Sequence, residues 1–117
     1  MGYDGDPATE LDLYADNTSE LYPKRMAIIA NLKRKIAAGR YKASAAPKLW
    51  AYWYTDAAKR YAREFGGEWS TMFPKAVRDR LARERAKDEY ERIRRGEHGP
   101  LSATKRYGTR KRSYKGR

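Results

Sequence analysis

The chain contains no cysteine. That excludes a disulfide framework, a thiolate nucleophile and a cysteine-ligated metal site, and it is compatible with a reducing compartment. Histidine occurs once, as His98 in "GEHGP". One His with no Cys and no spaced carboxylates is not a metal-ligand set, and a segment flanked by Gly and Pro does not hold a general base firmly. No apolar run approaches the ~18 residues that a membrane-crossing helix needs. The opening "MGYDGDPATE" places acids where a secretion signal has its basic region, so no such signal is expected. Its Gly2 stands in a poor context for myristoylation. A phosphate-cradling glycine loop and a nucleophile motif are both missing. These absences predict a non-enzymatic protein that uses no metal and no cofactor.

Charge is present in excess, and its distribution is uneven. The 117 residues carry a formal net charge of +12. Residues 1–20 hold six acids and no base, residues 21–93 have a net charge of +10, and residues 94–117 have +8. An acidic arm therefore precedes a basic body and a more basic tail. A surplus of this kind governs partners rather than fold, and it draws polyanions.

Periodicity predicts an all-α chain. Its expected form is a three-helix domain over 17–95, an extended acidic N-terminal arm over 1–16 and a disordered basic tail over 96–117. In the arm, Leu11 and Leu13 alternate with acids, as in a short extended segment. "NTSE" at 17–20 matches a capping box with Asn17 and Glu20. Pro23 supports a second reading, in which the first helix begins near Tyr22 with Pro23 at N1. Ile28, Ile29, Leu32 and Ile36 follow at helical spacing, and Gly39 is the expected stop. The second helix is expected to take Ser44 as cap and Pro47 in its first turn. It carries Leu49, Trp50, Trp53, Ala57, Tyr61 and Phe65 along one side and ends at Gly66 and Gly67. Trp69 and Phe73 are expected to hook into the core. The third helix opens near Pro74 with a thin stripe of Val77, Leu81, Ala82, Ala86, Tyr90 and Ile93. Its i,i+4 pairs, Arg80–Glu84, Arg85–Glu89 and Asp88–Arg92, are worth only ~0.2–0.5 kcal/mol each.

The arm "ELDLYADNTSELY" is followed by "IIANLKRKIAAGRYKASAAPKLWAYWYTDAAKRYAREFG". Together they resemble a group of small helical proteins encoded by bacteriophages and phage-like elements. The shared pattern is an acidic LxLYxxN arm (Leu11–Asn17), NLxRKxxxGxY (Asn31–Tyr41), A…LW (Ala46–Trp50) and AAKxYxxEF (Ala57–Phe65). It covers roughly residues 10–93. These motifs are structural rather than catalytic, so the resemblance implies a phage setting and a helical fold. The long basic tail is not part of the pattern.

The tail is the first candidate site. Lys105, Arg106, Arg110, Lys111, Arg112, Lys115 and Arg117 would neutralise phosphates and release counterions, while Tyr107 and Tyr114 would stack on bases. The plainer reading is a solubilising extension. Lys33, Arg34, Lys35, Arg40 and Lys42 cluster at a helix end, where they suit either a phosphate-contacting edge or simply the helix dipole. A helix-turn-helix reading is weakened by the Trp and Tyr content of the second helix. Trp50 and Trp53 fit the core better than a stacking platform, whereas Tyr52 points away from their stripe. The N-terminal acids lack the spacing of a calcium loop and are expected to fold back on the basic body or compete with its ligand.

The resulting expectation is sequence-tolerant, electrostatic binding of DNA or RNA, mostly through the tail. The alternative is a protein-binding module, such as an inhibitor of a host defence complex or a minor virion protein. A second copy of the chain is a further candidate partner, a membrane is not, and the expected location is host cytoplasm or virion.

Overall fold

The computed structural model describes residues 6–101, all of whose regular structure is helical. In chain order these are α1 (Pro7–Asn17), a 3-10 turn (Ser19–Leu21), α2 (Tyr22–Ala37), α3 (Ala46–Phe65), the short α4 (Trp69–Met72) and α5 (Lys75–Arg94). The all-α expectation holds. The three-helix count does not, because α1 and α4 were not foreseen. Of the expected disordered tail, residues 96–101 instead form a turn that docks on the fold through His98 and Leu101, because Lys33 and Glu89 hold His98; residues 102–117 lie outside the described range.

The acidic arm is a helix rather than an extended segment. Asp6 caps it: its carboxylate accepts from the Ala8 amide at 3.2 Å and the Thr9 hydroxyl at 2.6 Å. Pro7 follows in the first turn, where its missing N–H is harmless. Ala8, Leu11 and Ala15 then fall on one buried face at i, i+3 and i+7. Leu13 lies off that face and is exposed. The Leu11/Leu13 alternation therefore imitated a strand, whereas the helical spacing was what governed burial.

The start of α2 follows the Tyr22 reading, with Pro23 in its first turn. Asn17 closes α1 and caps nothing downstream. The α2 terminus is a Schellman turn: Arg40 N–H donates to the Lys35 carbonyl at 2.8 Å and Gly39 N–H to that of Ile36 at 3.1 Å. Gly39 sits at φ 73°, as that turn requires. Ser44 does not cap α3, whose flanking residue is Ala45 with no side-chain hydrogen bond. The bond from Ala46 N–H to the Lys42 carbonyl at 3.2 Å forms part of the entry turn instead.

The central helix is α3, which packs against all four others and most extensively against the antiparallel α5. It buries Trp50, Trp53, Tyr54, Ala57 and Ala58. The Trp53 indole donates to the Leu21 carbonyl at 3.0 Å, tying the 3-10 turn to the core. Phe73 is buried and Trp69 packs at the core's edge, as hooks should. The thin α5 stripe is used within the chain: Leu81, Ala82, Ala86 and Ile93 are all buried. α1 supplies core residues, and Leu101 packs on the core.

Candidate functional site

Two concentrations of polar side chains stand out. One is internal and lies against a cleft of roughly 330 Å³ lined by Asp12, Asp16, Arg25, Tyr54 and Arg85 among others. Arg85 is its hub. Its guanidinium donates to Asp12 at 2.8 Å, to both Asp16 oxygens at 2.9 Å, to the Tyr54 hydroxyl at 2.9 Å and to Glu89 at 3.3 Å. The Tyr54 hydroxyl in turn donates to Asp12. Glu89, fully buried, accepts from Arg25 at 2.8 Å and meets His98 Nε2 at 3.1 Å. One network thus pins α1, α2, α3, α5 and the turn after α5.

The electrostatics match a structural clasp. Burial raises the Glu89 carboxyl, but the hydrogen bond and charge of Arg25, followed by His98 and Arg85, outweigh it and hold the group below its ordinary value. Burial drives the Tyr54 hydroxyl far above the ordinary phenol value despite Arg85, so it is no base near neutrality. Burial lowers Arg85, yet Tyr54 and Asp16 more than offset this and keep it cationic. Every charge here faces an opposite one. Among the described residues no group of three or more His, Cys, Asp or Glu is placed to hold a metal ion. The acids Asp12 and Asp16 do fold back on the basic body, one of the two outcomes expected of the N-terminal acids.

The second concentration is external and unneutralised. From Leu21 to Thr55 the chain has no Asp or Glu, but eight Lys or Arg. Three of these have internal work. Lys24 pairs with Asp56 at 2.6 Å, Arg25 with Glu89, and Lys33 donates to the His98 carbonyl. The other five, Arg34, Lys35, Arg40, Lys42 and Lys48, have no carboxylate within ion-pair distance among the described residues. Lys35, Arg40, Lys42 and Lys48 surround a groove of about 420 Å³ between the end of α2 and the start of α3. Leu32, Tyr41, Ala45, Ala46 and Leu49 complete its lining.

Of the expected basic cluster, the fold therefore unites Lys35, Arg40 and Lys42 at one groove. Arg34 stands exposed outside its lining, and Lys33 turns to the end of α5. Lys48 joins them and was not anticipated; the missing acids across 21–55 are the signal that would have found it. The residues Lys105, Arg106, Tyr107, Arg110, Lys111, Arg112, Tyr114, Lys115 and Arg117 lie outside the described range. Their point of departure is placed, however. Lys33 grips His98, and Tyr41 stacks on Tyr90 with ring centroids 4.7 Å apart, so the chain leaves the fold beside the basic cluster. Trp50 and Trp53 are core, while Tyr52 is 76% exposed.

Among the described residues no helix is long and apolar enough to cross a membrane. No family model, no curated protein and no solved structure matches the chain.

Proposed function

We propose that the chain binds nucleic acid by charge, through the basic end formed by α2, the following link and the start of α3, together with the tail that leaves from that end. The observation that carries this reading is the set of five cations without carboxylate partners, Arg34, Lys35, Arg40, Lys42 and Lys48, in an acid-free stretch of chain. The acids of α1 and its cap are engaged elsewhere: Asp6 caps α1, Glu10 accepts from Tyr61, and Asp12 and Asp16 pair with Arg85. Residues 102–117 add seven Lys or Arg and no acid. Phosphate contacts of this type position a strand without reading its sequence.

The test is fluorescence anisotropy with labelled oligonucleotides across a salt series. Affinity is expected to fall steeply and linearly in the logarithm of salt. Ending the chain after Leu101, rather than inside the segment docked by His98, is expected to remove most of the affinity and flatten the slope. Salt-independent binding, or none, refutes the reading. A stoichiometric protein partner that survives nuclease treatment would point to a protein-binding module in its place.

A further inference from the structure

The groove beside the basic cluster has a composition that phosphate contact alone does not require. Its rim carries Lys35, Arg40, Lys42 and Lys48, but between them lie Leu32 and Leu49, with Tyr41 forming part of the wall. Tyr41 is held in place by its stack on Tyr90. We propose that this groove is a nucleotide subsite for single-stranded nucleic acid, taking one unstacked base on its apolar lining while the rim cations hold the flanking phosphates. The inference rests on the nucleic-acid reading above and adds strand type to it.

Three observations favour this occupant. The groove volume, about 420 Å³, lies within the range of small-ligand sites. A duplex would offer this surface phosphates only, with its bases already stacked, and the apolar lining would go unused. The closely spaced cations around a small apolar recess match a polymer that carries one charge and one flat apolar group per unit. An acidic amphipathic peptide shares some of these features but lacks the flat group, and its binding is one outcome of the test.

The experiment uses the full chain at fixed salt with three probes: an oligothymidylate, an abasic oligonucleotide of equal length and charge, and a Glu/Leu peptide of matched charge. The oligothymidylate is expected to bind roughly tenfold more tightly than the abasic strand. Ala45→Leu narrows the groove at an exposed position without changing charge. It is expected to erase that preference while leaving abasic binding and the helical circular dichroism unchanged. Lys42→Gln, on the exposed rim, is expected to weaken both strands alike. Equal affinity for the two strands overturns the subsite and leaves the electrostatic reading intact. A preference that survives Ala45→Leu also overturns it, assigning base contact to Tyr107 and Tyr114. A peptide that matches the oligothymidylate and is weakened by Ala45→Leu overturns it in favour of a protein ligand. If neither strand binds in a salt-dependent way, the proposed function itself fails.

Discussion

Glu89 is the residue on which the interior turns. It is wholly buried, yet three basic side chains converge on it. Removing one partner of a buried ion pair typically costs about 3–5 kcal/mol, whereas replacing the whole set with apolar groups is often neutral. Arg85→Met is therefore expected to destabilise the fold by about that amount, and the double change Arg85→Met/Glu89→Leu to recover part of it; urea denaturation measures both. The pH dependence follows from the lowered Glu89 carboxyl. Its contribution is present above the ordinary carboxylate range and is lost as pH falls through the depressed folded value. Melting temperature is expected to fall on the acid side, and Glu89→Gln to lower stability at neutral pH while flattening that acid slope. At the alkaline end, the hydrogen bond to Glu10, together with burial, pushes Tyr61 up to about 12. An absorbance titration of the tyrosines should show a class that ionises late. The two core tryptophans make a further contrast. The Trp53 indole is bonded to Leu21, while the buried Trp50 indole has no acceptor among the described residues. Trp53→Phe is expected to cost about 1 kcal/mol more than Trp50→Phe.

At the scale of elements, α2, α3 and α5 were legible because each combines apolar residues at helical spacing with a proline in or just before its first turn and a glycine after its end. α1 was not: it has Pro7 in its first turn, but Thr18 and not a glycine follows its end. The alternation of Leu11 and Leu13 with acids imitates an extended segment and masks the helical spacing of Ala8, Leu11 and Ala15. Small residues bury little area, so an alanine face is faint in any hydrophobic pattern, even though here it seats a whole helix. The terminus of α2 offers a clean test of backbone preference. Nothing lies within 4 Å of the position a Cβ on Gly39 would occupy, and its φ is +73°. Gly39→Ala is thus expected to cost about 1–2 kcal/mol from backbone strain alone, and Gly39→Asn less, read as shifts in denaturation midpoint.

At the scale of the molecule, charge segregation was visible in the sequence, but its disposition was not. Composition cannot tell which of eight cations between Leu21 and Thr55 are spent internally. That depends on Asp56, Glu89 and the His98 carbonyl arriving from distant parts of the chain. Arg85 and Glu89 looked like one more exposed i,i+4 pair on a polar helix. Only the docking of α1 and α2 over them converts the pair into the interior hub. The groove is likewise a product of assembly, since Lys35 and Lys48 meet only after α2 and α3 fold back on each other.

The grip of Lys33 on the His98 carbonyl has a consequence for binding arithmetic. It holds the turn at His98 against α2, with three residues between His98 and the last sixteen. Whatever shape they take, their span is bounded at about 55 Å by the length of an extended chain. If nucleic acid binds as proposed, a strand seated on the body would meet the tail at an effective concentration on the order of millimolar. Two individually weak sites would then act as one strong one, and adding residues 102–117 as a separate peptide to the shortened chain is expected not to restore the affinity of the whole.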